Sequence, residues 1–293
     1  MQGVLDFLTS NASEAKMLRS YFIFKIIPML NPDGVAVGNY RCSLIGTDLN
    51  RKWGLGPTNP NPIYHPTIYA TKYLLKMNQI EHGVALFTDF HGHSRKRNAF
   101  IYGCISAPGD VNAAKVNSII KTYPYLLSQS NKQISYKDSK FAWEKEKEST
   151  ARIVVFKELN IINSYTLEAS FFKSDHKAMM KIKAEYEFSQ QGSSNVASRR
   201  NTANNSFEEI DDHFEQIDFI NIGKDFAKSI SIGASNPVLK KIFFPILFIS
   251  PMTKEEENKL KTRVKNNKRM KHKSVTRENS MPSSNTCKLM LCK

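Results

Sequence analysis

The sequence is poor in the features that mark membrane, secreted and disulfide-rich proteins. It has no run of about 18 apolar residues, so we expect no membrane span. Its first residues contain no basic segment followed by an apolar one, so no secretory signal is visible. The four cysteines are Cys42, Cys104, Cys287 and Cys292, and they lack CxxC spacing. The lack of this spacing argues against a zinc knuckle and a disulfide framework, and it indicates reduced thiols of a cytosolic protein.

The composition is that of a globular chain. Of 293 residues, 41% are hydrophobic and 24% are charged, which excludes a wholly disordered chain and a collagen. The length suits one large domain or two small ones, and it is sufficient for a sizeable core.

The formal net charge of +15 is unevenly distributed. Residues 252–293 hold twelve basic and four acidic side chains, a net +8, which is about half of the total. Such a segment is either an electrostatic arm for RNA, an anionic membrane or an acidic protein, or a solvated tail. Because no aromatic residues alternate with the basic ones, we expect no specific nucleic-acid partner. We predict a disordered tail over 251–293, with a charged helix over 254–270.

The hydrophobic pattern predicts an α/β fold with a mixed, mostly parallel sheet flanked by helices. Strands are predicted at 22–27, 84–90, 98–104 and 164–171. Helices are predicted from a cap at Ser10 or Asn11 to residue 21, and at 66–77, 111–120, 151–159 and 214–230, with a long loop over 31–64. The composition divides the chain into a main domain over 1–184, a polar insert over 185–213, a C-terminal helix with an apolar segment over 214–250 that belongs to the main domain, and the tail over 251–293.

The segment DFHGHSRKRN follows the apolar residues of the second predicted strand. Residues two apart on a strand share a face, so His91 and His93 present both imidazoles to the same side. Imidazoles at the end of a strand are typical metal ligands. The alternative is a hydrogen-bonded histidine pair at a turn.

The long loop contains two arginines and an asparagine in the segments GNYR and GTDLNRKW. The guanidinium of Arg41 or Arg51 can bind a carboxylate through two hydrogen bonds, and Asn50 can orient that carboxylate. The alternative is that these side chains are solvated on a surface loop.

Glu168 interrupts the apolar strand of the segment SYTLEASFF. A buried acid must be paired, bound to a metal or raised in pKa, and a raised pKa suits a general base. The alternative is a glutamate on an edge strand that faces water.

Taken together, these motifs resemble the zinc metallocarboxypeptidases, and closely the cytosolic carboxypeptidases of the tubulin-deglutamylating branch. The resemblance covers residues 1–183, with a weaker match over 214–230. It rests on the segments FKIIPMLNPDGV, GNYRCSLIGTDLNRKW, DFHGHSRKRNAFIYG, STARIVVFKE and SYTLEASFF.

For the catalytic machinery, the resemblance implies Zn²⁺ as the cofactor and His91 as one of its ligands. It implies that Glu168 is the general base that activates water. It also implies that Arg41 polarises the scissile carbonyl group.

For the substrate, the resemblance implies that Asn50 and Arg51 hold the C-terminal carboxylate. Arg152 matches the position at the base of the specificity pocket. A basic residue there suits an acidic terminal side chain, so the implied substrates are acidic protein C-termini, above all polyglutamylated tubulin.

The sequence departs from the family at the HxxE pair that begins its zinc site. None of the seven histidines has a glutamate three residues later. We therefore expect a chain that starts just after this pair and lacks the first strands and the N-terminal β-sandwich domain of the family. As written, it would bind zinc weakly and be inactive. A substitute ligand set at Asp211, Asp212 and His213 is conceivable, but those residues border the polar insert.

Three functions are compatible with these residues. The first is a zinc carboxypeptidase that removes C-terminal glutamates, in the cytoplasm and associated with microtubules or cilia. The second is a non-catalytic module that binds acidic C-termini or microtubules through its asparagine and arginines. The third is a nucleic-acid or membrane binder led by the tail, which no motif supports.

Overall fold

The computed structural model describes residues 1–54, 59–106, 112–173, 213–243 and 287–292. Its helices are α1 (Gln2–Thr9), α2 (Ser13–Tyr21), α3 (Pro32–Ala36), α4 (Pro66–Glu81), α5 (Ala113–Ser130), α6 (Ala151–Leu159), α7 (Gln216–Ser235) and α8 (Pro237–Phe243). Short 3₁₀ turns cover Leu49–Arg51 and Lys145–Lys147. The strands are β1 (Phe22–Ile27), β2 (Val84–His93), β3 (Ala99–Tyr102), β4 (Ser164–Ser170) and β5 (Cys287–Cys292).

The five strands form one mixed, mostly parallel sheet in the order β1-β5-β2-β4-β3. Strands β1, β5, β2 and β4 run parallel, and β3 is antiparallel to β4. The sequence prediction of an α/β fold with helices against a mixed sheet is therefore confirmed. No described helix is long and apolar enough to cross a membrane.

The two faces of the sheet are covered by different helices. Consecutive residues of β2 belong to different cores: Leu86 packs in one hydrophobic cluster and Phe87 in the other. The Leu86 cluster includes residues of α1, α2, α5 and α7, and the Phe87 cluster includes residues of α4 and α6 together with Trp53. This alternation follows from the two-residue period of a strand buried on both faces.

Most predicted elements are present, with altered ends. Helix α6 has the predicted bounds, β2 extends three residues further than predicted, and α5 continues to Ser130 although Pro124 lies inside it. Helix α2 begins after Ala12, which makes no side-chain cap, so the predicted cap at Ser10 or Asn11 is wrong. The predicted loop over 31–64 contains α3 and a 3₁₀ turn, each begun by an Asn or Asp side chain that accepts a backbone N–H.

The sequence reading missed helix α1. Gly3, Val4 and Leu8 are its buried residues, and they pack against α7. A Cβ atom on Gly3 would lie 1.8 Å from the carbonyl oxygen of Ile220, so only glycine permits this close approach of the two helices.

Strand β5 differs most from the sequence prediction, because residues 287–292 belong to the predicted disordered tail. All six pair with β1 and five pair with β2, across a register irregularity between Val84 and Leu86. Within the described residues, β5 is the only strand that pairs with β1. The predicted charged helix over 254–270 and most of the polar insert over 185–213 lie outside the described residues, as does the apolar run beyond residue 243.

The central position of β5 predicts that it holds β1 in the sheet. In Leu289→Pro, the N–H of residue 289 is lost, and because β5 has neighbours on both sides, one carbonyl oxygen of β1 or β2 loses its donor. We expect a loss of about 2 kcal/mol or more in unfolding free energy, together with faster hydrogen exchange of the β1 amides. Leu289→Val keeps the N–H and serves as the control. Unchanged protection of β1 in Leu289→Pro would contradict this role.

Candidate active site

The pairing of β2 with β4 brings the predicted histidine and glutamate together. His91 is the register partner of Glu168, and Glu168 is in turn the partner of Phe100 on β3. Directly paired residues share one face of a sheet, so these three side chains form a row across three strands. The row lies at the carboxyl ends of the parallel strands, where open α/β sheets place their sites.

His91 is held by an acid from its own strand. Its Nε2 lies 2.6 Å from Oδ2 of Asp89, a buried residue two positions earlier on the same face. Burial alone would lower the pKa of His91, but the charge and hydrogen bond of Asp89 and the charge of Glu168 outweigh it and raise the pKa to about 9. Nε2 therefore donates to Asp89, and the Asn50 amide nitrogen, 3.4 Å away, is a neighbour rather than a donor.

The surroundings of Glu168 raise the pKa of its carboxyl group above the usual value. Burial raises the pKa of its carboxyl group, as does the charge of Asp89, while His91, Arg152 and Arg41 lower it, and the net shift is upward. Oε2 of Glu168 lies 3.7 Å from Nδ1 of His93. The alternative of a glutamate facing water does not describe this residue, whose side chain is only 12% exposed.

Asp48 organises the loop that carries the predicted carboxylate-binding side chains. Its Oδ1 accepts the backbone N–H of Asn50 at 3.0 Å, which caps the 3₁₀ turn, and its Oδ2 accepts Nε of Arg41 at 2.6 Å. The guanidinium of Arg51 approaches the same carboxylate at 3.9 Å. Asn50 Oδ1 accepts the backbone N–H of Ala151 at 2.9 Å, which fixes the turn to the start of α6.

Arg152 lies on the first turn of α6 and is buried. Its Nη1 donates to the carbonyl oxygen of Gly103 and contacts Sγ of Cys104 at 3.6 Å. The guanidinium carbon lies 5.7 Å from the centre of the Tyr102 ring. Since its charge lowers the pKa of Glu168, Arg152 reaches the same region of the sheet face.

The structure thus gathers the predicted residues around one sheet edge. His91 and Glu168 are register partners, Asn50 is a neighbour of His91, and the charges of Arg41 and Arg152 act on Glu168. Arg51 joins them through Asp48, at 3.9 Å, and through a hydrogen bond of 3.0 Å from its Nη1 to the carbonyl oxygen of Asn50. The roles assigned to these six residues stay predictions, because the geometry places them without testing what each one does.

Sequence reasoning missed Asp89 and Asp48. Asp89 precedes His91 by two residues, and the strand period already places such a pair on one face. Asp48 precedes Asn50 by two residues, which is the spacing of an aspartate that caps a turn. Both signals are local, but neither identifies which other side chain the carboxylate will bind.

The described residues do not by themselves fit a complete zinc site. A zinc hydrolase site takes three protein ligands, and no group of three His, Cys, Asp or Glu side chains in the described ranges could hold a metal ion. His93 packs its ring edge-on against Phe100 at 4.9 Å and lies beside Glu168. Of the conceivable substitutes, Asp211 and Asp212 lie outside the described residues, and His213 pairs with Phe172 instead.

Comparison with known proteins agrees with this architecture. Cytosolic carboxypeptidase 1 of Xenopus laevis is 46% identical over 184 residues, which are 60% of this chain and 15% of that protein. Cytosolic carboxypeptidase 2 of Mus musculus is 45% identical over 172 residues, 58% of this chain and 19% of that protein. The chain therefore spans less than a fifth of the length of these relatives.

Solved structures show the same fold. The metallo-carboxypeptidase from Burkholderia cenocepacia matches 80% of this chain and 52% of its own, with a TM-score of 0.56 at 16% identity. A carboxypeptidase structure from Burkholderia mallei matches 78% of this chain and 50% of its own, with a TM-score of 0.54 at 17% identity.

The zinc carboxypeptidase family matches residues 1–198, which is more than half of the chain. Together with the relatives named cytosolic carboxypeptidase, this match confirms the family resemblance of the sequence motifs. The chain therefore belongs to the zinc carboxypeptidase family.

Proposed function

We propose that this chain is part of a zinc-dependent carboxypeptidase that removes C-terminal glutamates from acidic protein tails, such as those of polyglutamylated tubulin. The observation that carries the proposal is the pairing of His91 with Glu168 in a region where Arg41 and Arg152 supply positive charge. Positive charge around the site favours binding of the negatively charged end of a peptide. The buried Glu168 has the raised pKa that suits a base.

Each site residue has a role that its chemistry supports. Asn50 and Arg51 hold the terminal carboxylate through hydrogen bonds from their side chains. Arg41 stabilises negative charge that develops on the carbonyl oxygen. Glu168 accepts the proton of the attacking water and passes it to the leaving amine. Arg152 faces the acidic side chain of the terminal residue.

A second candidate is a module that binds acidic C-termini without cleaving them. The lack of a three-ligand group in the described part of the chain favours it. Co-sedimentation with microtubules that disappears after the tubulin tails are deglutamylated, without formation of product, would support this candidate over the enzyme.

We propose the cytoplasm as the location, with association with microtubules or cilia. The supporting observation is that the relatives are named cytosolic carboxypeptidases. Tubulin as the partner remains part of the proposal.

Binding of a short peptide tests the substrate class. We expect a peptide ending in glutamate to bind the chain, and the same peptide with an amidated C-terminus to bind roughly tenfold or more weakly, because the amide cannot form charge-assisted hydrogen bonds with Asn50 and Arg51. Arg152→Ala should lower the affinity for peptides that end in glutamate and leave the affinity for peptides that end in leucine unchanged. Isothermal titration calorimetry measures both effects, and equal affinities for acid and amide would contradict the proposal.

Glu168→Gln tests the base in a longer protein that carries the HxxE pair. Glutamine keeps the shape of the side chain but cannot accept a proton, so we expect kcat to fall by about 10²-fold or more, with the peptide affinity retained. The release of free glutamate gives kcat. An unchanged kcat would rule out Glu168 as the base.

The pair of His91 and Asp89 predicts a pH dependence for the metal-free chain. The pKa of His91 rises from a usual value of 6.5 to about 9 in the fold, so its stabilisation is fully present below pH 6.5 and is lost as the pH rises through about 9. Asp89→Asn should lower the pKa of His91. An NMR titration of the imidazole carbon protons measures this pKa, and a value of 6.5 or less in the unsubstituted chain would contradict the pairing.

A further inference from the structure

A lysine in the turn between β2 and β3 is held in place over two aromatic rings. Nζ of Lys96 lies 4.6 Å from the ring centre of Phe100 and 5.8 Å from that of Tyr102, and it donates to the carbonyl oxygen of Asp138 at 3.0 Å. A lysine side chain is usually flexible, so a hydrogen bond and two cation–π contacts indicate a fixed ammonium group.

The aromatic residues beneath Lys96 belong to the face that carries the candidate site. Phe100 is the register partner of Glu168, and Tyr102 is the partner of Thr166, which in turn pairs with Asp89. The charge of Lys96 also reaches His93, where it lowers the pKa of the imidazole after the larger effect of burial. Lys96 thus lies at the rim of the site and not on a remote surface.

A second cation contacts the same tyrosine. The guanidinium carbon of Arg152 lies 5.7 Å from the centre of the Tyr102 ring. Neither Lys96 nor Arg152 forms an ion pair with a carboxylate in the described part of the chain, although Arg152 is buried and Lys96 is half-buried. The charge of Arg152 acts on Glu168, but neither cation is within ion-pair distance of a carboxylate in the described residues, so both can contact an anion supplied by a ligand.

We propose that Lys96, together with Arg152 and Tyr102, binds the side-chain carboxylate of the terminal acidic residue, so that Lys96 is a further specificity-determining residue. This inference rests on the proposed function, since the anion is the side chain of the substrate that function requires. Lys96 and Arg152 supply positive charge, and the Tyr102 hydroxyl supplies a neutral donor. The site then discriminates a glutamate from its neutral isostere by charge and not by size.

The test compares two peptides that differ only at the last residue, Glu or Gln, both with free terminal carboxylates. For Lys96→Gln we expect the affinity for the glutamate peptide to fall roughly tenfold, the scale of one charge-assisted hydrogen bond, with the affinity for the glutamine peptide unchanged. Lys96→Arg keeps the charge and should keep the preference. Lys96→Met is a second neutral variant, which retains apolar contact with Phe100 if the glutamine variant folds poorly.

Lys16→Gln is the matched control. It removes the same charge from an exposed position on α2, whose Leu18 packs against the opposite face of the sheet. This variant should bind both peptides as the unsubstituted chain does.

The outcomes separate this inference from the proposed function. In one outcome, the unsubstituted chain prefers the glutamate peptide and Arg152→Ala removes that preference. If the neutral Lys96 variants then keep the preference, or lose affinity for both peptides equally, the role of Lys96 is refuted while the proposed function stands. If the unsubstituted chain binds both peptides equally, the proposed acidic specificity itself fails, and the role of Lys96 fails with it.

Discussion

The parallel pairing of β2 with β4 is the constraint on which the rest of the site depends. It fixes His91 opposite Glu168, and a shift of one residue would move one of the two to the other face of the sheet. The packing of β2 supports this register, because a slip by one residue would move the polar side chains of Asp89 and His91 to the face of the apolar Leu86 cluster. Core packing thus determines the distance between the two functional groups.

The arginine loop is positioned by different means. It follows β1, which is joined to the sheet through β5 alone among the described strands. Without β5, β1 and β2 would be separated by roughly 9–10 Å, two strand spacings, and backbone hydrogen bonds could not connect them. Asp48 then holds Arg41, and Asn50 fixes the loop to α6. Both halves of the site therefore depend on the sheet, but through separate strands.

Local patterns in the sequence predicted much of this arrangement. Apolar runs gave β1, β2 and β4, and helical spacing gave α6 and α7, because these elements bury continuous or periodic apolar surface. The motif residues indicated His91, Glu168 and the arginines. The sequence could not reveal β5, because its six residues follow a polar, charged segment and their partners lie about 200 to 265 positions earlier. Nor could it reveal that Asp89 holds His91 or that Lys96 donates to the carbonyl oxygen of Asp138, because local spacing does not identify the partner of a charged side chain.

We propose that the described residues supply the substrate side of a carboxypeptidase site and one zinc ligand, His91, but no complete ligand set. The most direct test is the zinc affinity of the purified 293-residue chain, measured by competition with a chromophoric chelator. A full structural site binds Zn²⁺ with a free energy of about 10–16 kcal/mol, which corresponds to dissociation constants from tens of nanomolar to picomolar. The account predicts binding far weaker than this range. One zinc ion per chain, bound with a dissociation constant in this range and retained on dialysis, would contradict the claim.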